Sequence, residues 1–398
     1  MRILFIHEVN YLTKPIFEMH EIPEAMAELG HQVGFVHFPE NESRQALRQR
    51  GFHEIVPGRS RKASRIELFT PRTSDGGIVG RLLTAVTFSF QFRRVLEEFV
   101  PDVVFSFSVP TSGWQALRIC KKEGIPYLFR ALDVSRRIRK SPFGQLVSIA
   151  EKYIFKNADW ISANNKAMLD YVIEAGGEKR LCSVDLPPLD TGMFPEPIEL
   201  KAVSKDFLGL DPDSDVIVFL GSFFYFSGLP QLIEAFAELS QANQFLLLLG
   251  SGEQSKQLRD LVNHLGISKR VIFTGFVDFE TIPLYLSIAD IGVNSFSRSE
   301  VSDKALPNKV LQYMAAALPV VTTRLEGLER TLGHANPGVC FVDTQREVIQ
   351  KSLKLIENKD ALAKIGLANK RLAEELFSKE KLIPVFSERL TRLIESKS

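Results

Sequence analysis

A short basic motif stands where a turn leads into an apolar helix. It reads Pro307-Asn308-Lys309-Val310, and Gln312 follows within the same helix. Proline favours a helix start, where the first N–H groups are unpaired and point towards any bound anion. The partial positive charge of that helix end and the ammonium group of Lys309 would both attract phosphate. The motif therefore predicts a diphosphate site, with Gln312 placed to reach a ribose hydroxyl.

Two glycine-containing loops have compositions that suit the same ligand. One spans 221–228 and is rich in aromatic residues, and the other begins at Gly250. Glycine allows the backbone to approach a ligand closely, although a glycine in a tight turn needs no ligand to explain it. The donor contacts predicted in these two loops are Gly221, Ser222, Ser227 and Gly250.

The elements that would position these loops alternate between apolar strands and helices. In the second half, strands are predicted at 216–221, 245–250, 271–274, 291–294 and 319–323, and in the first half at 2–7, 32–38, 103–107, 127–130 and 160–163. Such alternation is typical of parallel sheets covered by helices, which bind ligands at the carboxyl ends of their strands.

A proline-rich stretch at 186–200 separates the two halves. Prolines at this density disfavour regular structure, so we interpret the stretch as a linker. The predicted domains are 1–188 on the acceptor side and 189–376 on the donor side. An amphipathic helix in 377–398 is predicted to pack back towards the first domain.

Composition excludes several classes of protein. The 398 residues include 49 Lys and Arg and 48 Asp and Glu, so no nucleic-acid partner is expected. Three scattered cysteines favour neither a disulfide framework nor a metal cluster and suit the cytoplasm. No uninterrupted apolar run is long enough to span a bilayer. A cytoplasmic protein is therefore expected, and peripheral contact with the inner face of the membrane stays open.

The first half offers candidates for an acceptor site. His7 ends the first predicted strand, and Arg130 and Asp133 follow another. Asp133 either orients an acceptor hydroxyl or caps the next segment. Two basic patches either face anionic headgroups or are scattered solvated charge; they comprise Arg59, Arg61, Lys62, Arg65 and Arg72, and Arg136, Arg137, Arg139 and Lys140.

Five further segments occur in a recognisable order. They are Gly228-Leu229-Pro230-Gln231, Leu249-Gly250-Ser251-Gly252, Gly275-Phe276-Val277, Pro283-Leu284-Tyr285 and, last, Pro307-Asn308-Lys309 leading to Pro319-Val320-Val321. In this series the chain resembles the family-four glycosyltransferases, in particular a subgroup with a Pro-Asn-Lys motif. The resemblance implies an α/β protein of the GT-B fold, with two Rossmann-like domains whose parallel sheets face each other across a cleft.

The resemblance also implies an activity and a set of site residues. The reaction would be transfer of a sugar, with retention and without a metal or other cofactor, from a UDP- or GDP-sugar to a glycan or lipid-linked acceptor. Gly275, Phe276 and Val277 would hold the base, and the 308–310 helix start with Lys309 would hold the diphosphate. Asp133, His7 and Lys309 are the predicted catalytic residues.

The chain departs from the family at four charged positions. Ser222 and Ser227 replace the usual arginine and lysine of the first loop, and Lys304 and Gln312 replace a pair of glutamates. Lys304 is nevertheless retained as a predicted diphosphate contact. Two alternatives therefore stay open: a sugar-nucleotide-binding partner without activity, and a GT-B epimerase. A dinucleotide-dependent oxidoreductase is excluded because 7–12 contains no glycine.

Overall fold

The computed structural model describes residues 1–39, 51–71, 78–108, 112–134, 144–194, 205–333 and 336–397, and only the backbone of 78–84. The chain forms two compact units. Unit 1 comprises Met1–Pro188 with Glu380–Ser398, and unit 2 comprises Leu189–Lys379.

Unit 1 is built on an eight-stranded sheet in the order β3-β4-β2-β1-β5-β6-β7-β8. Its strands are β1 Arg2–Ile6, β2 Gln32–Val36, β3 His53–Pro57, β4 Arg65–Phe69, β5 Val103–Ser106, β6 Tyr127–Ala131, β7 Trp160–Ala163 and β8 Cys182–Val184. The ladders are parallel except for the β3–β4 pair, which is antiparallel. The predicted parallel sheet thus has one antiparallel pair, at the β3 edge.

Among the described residues up to 188, five helices cover the sheet of unit 1. They are α1 Glu18–Glu28, α2 Ile78–Phe99, α3 Gly113–Glu123, α4 Gly144–Asn157 and α5 Lys166–Glu174. The central strands β1, β5 and β6 are almost wholly buried, as expected of a parallel sheet covered on both faces.

Unit 2 has a six-stranded, all-parallel sheet in the order β11-β10-β9-β12-β13-β14. Its strands are β9 Asp215–Leu220, β10 Gln244–Leu249, β11 Val271–Gly275, β12 Ile291–Asn294, β13 Val320–Thr323 and β14 Val339–Val342. The strand order reverses between β9 and β12, which is where open parallel sheets bind ligands.

The helices of unit 2 are α6 Leu229–Leu239, α7 Ser255–His264, α8 Ile282–Ile288, α9 Glu300–Asp303, α10 Asn308–Ala315, α11 Glu326–Leu332, α12 Gln345–Ile356 and α13 Lys359–Leu376. The last helix of the chain, α14 Lys379–Glu395, belongs to unit 1. Its apolar face, formed by Ile383, Phe386, Leu390 and Leu393, packs in the core of that unit with side chains of β1 and α1. The apolar spacing of this segment therefore serves burial.

Candidate functional site

Three glycine turns converge at the carboxyl ends of β9, β10 and β11. Gly221, Gly250 and Gly275 all have positive φ angles, of 122°, 140° and 73°. The N–H of Gly221 donates to the carbonyl of Leu249 at 2.9 Å, and Gly250 forms a bridge with Gly275. A Cβ on Gly250 would lie 2.1 Å from the carbonyl oxygen of Gly221. Glycine is required here because two backbones touch, and the predicted loops form one structure.

Helix α10 begins at the same edge of the sheet, after β12. It starts at Asn308, as the sequence predicts, and Pro307 is extended with ψ 121° and acts as the N-cap residue. The N–H of Val310 donates to the carbonyl of Pro307 at 3.0 Å. Asn308 is half-buried, whereas the side chains of Lys309 and Val310 are buried. The opening N–H groups of the helix lack intrahelical acceptors.

The Lys309 side chain joins this helix start to the glycine turns. Its Nζ lies 3.6 Å from the ring centre of Phe219 and 4.5 Å from that of Phe296. A Cβ on Gly221 would lie 3.4 Å from the same Nζ. Among the described residues, none forms a hydrogen bond or ion pair with this amine. Burial lowers the pKa of Lys309 well below its ordinary value, so the free protein favours the neutral amine, and a bound anion would favour its charged form.

Two residues of the predicted donor set are engaged within the protein. Ser227 is fully buried, and its hydroxyl donates to the carbonyl of Phe224 at 2.5 Å. Its own carbonyl accepts from the Ser295 hydroxyl at 2.7 Å. The Ser227 side chain is thus turned away from any ligand, contrary to the prediction. Lys304 pairs with Glu326 at 3.6 Å, so its charge is already partly neutralised.

The positions of Gln312 and Ser222 neither confirm nor contradict their predicted contacts with the donor. Gln312 is buried on α10, only 6% exposed, which leaves little of its amide to meet a ribose. Ser222 is half-buried directly after Gly221. Both stay predictions as donor contacts.

Exposed aromatic rings surround the glycine turns. Phe276 is 65% exposed directly after Gly275, followed by half-buried Val277. Phe224 and Tyr225 are also exposed on the first loop. An exposed ring beside a backbone turn offers a stacking surface for a planar base. The arrangement is compatible with the base-holding role that sequence predicts for this segment.

The pair of phenylalanine rings around Lys309 was not predicted from sequence. Phe219 lies in β9 and Phe296 follows β12, and both rings are close to the amine. Their only signal in the sequence is their position at the ends of adjacent strands on either side of the switch point.

In unit 1, His7 lies directly after β1 rather than at its last position, and its chemistry also differs from the prediction. Its ring stacks on Phe107 at 5.6 Å and meets Phe17 edge to face. Burial, with a smaller contribution from the charge of Lys14, lowers the pKa of His7 to about 3. The imidazole is therefore neutral and a weak base at neutral pH, which argues against a role as general base.

Arg130 is a buried structural residue, which corrects its predicted role at the acceptor. Its Nε and Nη2 both contact Oε2 of Glu18 at 2.8 Å. Its Nη1 donates to the Ser162 hydroxyl at 2.8 Å and to the carbonyl of Asp185 at 2.6 Å. The side chain is 1% exposed. These partners occupy the guanidinium, so it has no surface to present to an acceptor.

Asp133 lies just after β6 at the carboxyl edge of the sheet. Its side chain is exposed, although protein atoms surround it closely enough to disfavour the charge. This desolvation, with a smaller contribution from the negative charge of Glu18, raises the pKa of Asp133 to about 6. A carboxylate with a pKa near neutrality is suited to proton transfer.

Part of the first basic patch holds the fold of unit 1 together. The buried carboxylate of Glu24 accepts from the backbone N–H groups of Arg59, Ser60 and Arg61, each at 2.8 Å. The Arg61 guanidinium pairs with Glu28 at 2.6 Å. The Arg59 guanidinium donates to the carbonyl of Tyr11 at 3.1 Å, so neither arginine is part of an open anion-binding surface. Lys62 and Arg65 are exposed. Arg72, Arg136, Arg137, Arg139 and Lys140 lie outside the described residues.

The described residues provide neither a metal site nor a helix that could span a membrane. No group of three or more His, Cys, Asp or Glu residues is arranged to hold a metal ion. In the same part of the chain, no helix combines the length and apolar character needed to cross a membrane.

Two family models match the chain in series. "Glycosyl transferase 4-like domain" matches residues 18–184, and "Glycosyl transferases group 1" matches residues 201–372. The chain belongs to the glycosyltransferases. The two matches meet close to the boundary between units 1 and 2.

Curated relatives of this glycosyltransferase are similar over different lengths. The lipopolysaccharide core biosynthesis glycosyltransferase LpsE of Rhizobium meliloti is 32% identical over 44% of this chain and 46% of its own length. Alpha-monoglucosyldiacylglycerol synthase of Acholeplasma laidlawii is 22% identical over 90% of this chain and 89% of its own. The chain spans only 61%, 46% and 35% of three of the curated relatives that it matches.

A solved structure defines the fold of this glycosyltransferase. HepE of Anabaena, in complex with UDP and glucose, aligns with a TM-score of 0.75 and 19% identity, covering 98% of this chain and 99% of that one. At this identity the likeness bears on the fold alone. The prediction of an α/β protein of the GT-B class is confirmed.

Proposed function

We propose that this glycosyltransferase moves a sugar from a UDP- or GDP-sugar to a glycan or lipid-linked acceptor, with retention and without a metal. The single observation that supports this most is the arrangement around Lys309. A buried amine, a helix start and three glycine turns meet at the switch point of unit 2. This is the charge distribution that a diphosphate complements.

The likeness to relatives supports the substrate classes of the proposal. HepE binds UDP and glucose in its solved structure, which favours a uridine nucleotide donor. LpsE acts in lipopolysaccharide core biosynthesis, and the Acholeplasma enzyme makes a glucosyldiacylglycerol. A lipid-linked acceptor at the inner face of the membrane is the acceptor that we propose.

In this proposal the protein stabilises the leaving diphosphate. As the bond between the sugar and the diphosphate breaks, negative charge grows on the phosphate oxygens. The Lys309 ammonium and the first N–H groups of α10 are fixed before the reaction and oppose that charge at no cost of reorganisation. The exposed ring of Phe276 and the turn at Gly275 would hold the base.

The donor proposal is tested by thermal unfolding with nucleotides. UDP, GDP and the control are compared at one fixed concentration. The preferred nucleotide, present at about a hundred times its Kd, should stabilise the donor-binding unit by about 2.7 kcal/mol, and the base that gives the larger shift identifies the donor. CMP is the control, because it lacks a diphosphate. Equal shifts, or none, with all three nucleotides would contradict the proposal.

A second candidate is a sugar-nucleotide-binding protein without transfer activity. The residues that favour it are Ser222, Ser227, Lys304 and Gln312, because Ser227 is turned inward and Lys304 is already paired. Incubation with labelled UDP-sugar and membrane lipid extract separates the candidates. Labelled glycolipid supports transfer, unchanged donor supports binding alone, and epimerised donor indicates the epimerase.

Asp133 gives the transfer reaction an expected pH dependence. If its carboxylate receives the acceptor proton, kcat/KM should fall about tenfold per pH unit as the pH drops below the pKa of about 6. Asp133→Asn should lower kcat/KM about 10²- to 10⁴-fold and abolish that acidic limb. Asp102→Asn, at an exposed aspartate near the amino end of β5, is the control. An unchanged acidic limb in Asp133→Asn would exclude Asp133 as the base.

A further inference from the structure

Three neighbouring helices of unit 1 expose side chains in the same order, with apolar or aromatic ones first and basic ones after them. On α2 the exposed stripe runs from Val86 and Phe90 to Arg93 and Arg94. On α4 it runs from Leu146 and Ile149 to Lys152 and Lys156. Between them, α3 presents half-buried Trp114, then exposed Arg118, Lys121 and Lys122. Each stripe therefore begins with apolar or aromatic side chains and ends with basic ones.

The topology brings the apolar ends together. Helices α2, α3 and α4 lead into β5, β6 and β7, which are mutually parallel. The three helices therefore run in the same direction, and each begins near the carboxyl edge of the sheet. At that edge lies Asp133, which follows β6.

Side-chain contacts fix the relative height of the helices. Gln115 on α3 donates to the carbonyl of Ala85 at 2.7 Å and accepts from the hydroxyl of Ser89. The level of Val86 and Phe90 is thus the level of the first turn of α3, where Trp114 lies. A Cβ on Gly113 would lie 3.3 Å from Cδ1 of Ile154.

The proximity of Gly113 to Ile154 places the apolar part of α4 beyond the start of α3. Leu146 and Ile149 precede Ile154 by one to two helical turns. They therefore project at the same end as Trp114 and Phe90. On each helix the apolar residues thus lie towards this end and the basic residues follow one to two turns later. We call these basic residues the basic collar; they are Arg93, Arg94, Arg118, Lys121, Lys122, Lys152 and Lys156.

The exposure of these apolar residues is too high for an ordinary helix surface. Phe90 is 79% exposed and Ile149 is 64% exposed, and Val86 and Leu146 are similarly open. Single exposed apolar residues are common, but four large ones at one end of adjacent helices mark an interaction surface. We call these four residues with Trp114 the apolar band.

Charge decides which occupant fits. The described residues provide no ion pair for Arg118, Lys122, Lys152 or Lys156, and Arg118 lies over the ring of Trp114 at 5.8 Å. Acidic side chains on these outer stripes are Glu97, Glu98 and Glu123, of which Glu98 and Glu123 pair with arginines of α2. The basic collar thus has an excess of positive charge.

We propose that the apolar band and basic collar dock the enzyme on an anionic lipid bilayer. Apolar side chains enter the boundary of the acyl chains, while the lysines and arginines one to two turns behind contact headgroup phosphates. The inference rests on the proposed function for its purpose, since it presents the acceptor edge of unit 1 to lipid-linked substrates. It assigns membrane contact to a face other than the basic patches that the sequence suggested.

The test is co-sedimentation with vesicles of phosphatidylcholine, with and without phosphatidylglycerol. Wild-type protein should bind the anionic vesicles and lose binding as salt rises. Phe90→Ser and Ile149→Ser should each lower the partition coefficient about tenfold or more. Ile55→Ser is the matched control, because Ile55 is 63% exposed on β3, and it should bind like wild type. Wild-type binding by Phe90→Ser would overturn the proposal.

A charge variant tests the collar separately. Lys152→Gln with Lys156→Gln should weaken binding to anionic vesicles about 30-fold and leave binding to neutral vesicles unchanged. Lys256→Gln with Lys269→Gln, at exposed positions of unit 2, is the control pair. Equal weakening by both pairs would overturn the assignment of the collar.

Two further outcomes would overturn the docking proposal. One is a wild-type protein that ignores both kinds of vesicle. The other is a concentration-dependent dimer in sedimentation velocity that Phe90→Ser abolishes, because the face would then belong to a second copy. The thermal shift with UDP is measured on the same preparations. A retained shift without vesicle binding contradicts only the docking face, whereas vesicle binding without a shift contradicts only the donor proposal.

Discussion

Replacing Lys309 by methionine is expected to impair the donor site and, at the same time, to stabilise the ligand-free protein. UDP affinity should fall about 10- to 100-fold, because a charge-assisted contact to the diphosphate is lost. Transfer should fall about 10²- to 10³-fold, since the amine opposes charge that grows in the transition state. Calorimetric titration with UDP and initial rates measure the two effects.

The stabilisation follows from the surroundings of the amine. The Lys309 side chain is buried against Phe219 and Phe296, and burial lowers its pKa. Methionine fills a similar volume without a charge to desolvate, so unit 2 should gain about 1 kcal/mol and unfold about 2–4 °C higher. Lys256→Met, at an exposed position of α7, should change neither quantity. Loss of stability together with loss of affinity would indicate that Lys309 only supports the fold.

The same group makes nucleotide binding depend on pH. In the free protein the depressed pKa favours the neutral amine, and the bound diphosphate favours the ammonium ion, so binding takes up a proton. Above neutral pH, affinity should therefore be highest at the lower pH and fall as the pH rises. The Lys309→Met protein lacks this slope, which isolates the contribution of the lysine from that of the nucleotide's own ionisation.

The alternation of strands and helices was predictable because parallel strands are continuous apolar runs. Central strands such as Val103–Ser106 and Ile291–Asn294 are wholly buried, so their sequences carry a clear signal. The edge strands of unit 1 were missed. His53–Pro57 alternates exposed and half-buried residues and lies in a basic segment, so its pattern resembles a loop.

The candidate site was predictable where the backbone imposes a residue type. The contact between two turns requires glycine at 221 and 250, and a glycine in the sequence indicates such a position. Side-chain direction could not be predicted in the same way. Ser227 stands where the family resemblance implies a lysine, yet its hydroxyl turns inward to Phe224. Arg130 lies at the end of a predicted strand, where ligand contacts are expected. Partners that are distant in the chain nevertheless bury its side chain.

Removing the guanidinium of Arg130 is expected to have the largest effect on stability. Arg130→Met leaves the carboxylate of Glu18 buried without its partner and breaks the contacts to Ser162 and Asp185. Loss of one member of a buried ion pair costs about 3–5 kcal/mol. The ring of Phe386 on α14 lies 5.2 Å from the same guanidinium, so the terminal helix should also become sensitive to proteases. Chemical unfolding and limited proteolysis measure both effects.

The pH dependence of that loss identifies its cause. Burial already raises the pKa of Glu18. A carboxyl group whose pKa is raised by folding stabilises the folded protein at low pH, and this stabilisation is lost as the pH rises through the raised pKa. Without Arg130 the pKa rises further, so the variant should be weakest at neutral and alkaline pH and recover towards acid. Adding Glu18→Gln should restore part of the loss, because an amide carries no charge to bury. Arg180→Met, whose arginine forms an exposed pair with Glu178, should leave the free energy of unfolding close to that of the wild type. A stable Arg130→Met protein that binds UDP but has lost transfer would return Arg130 to the acceptor site.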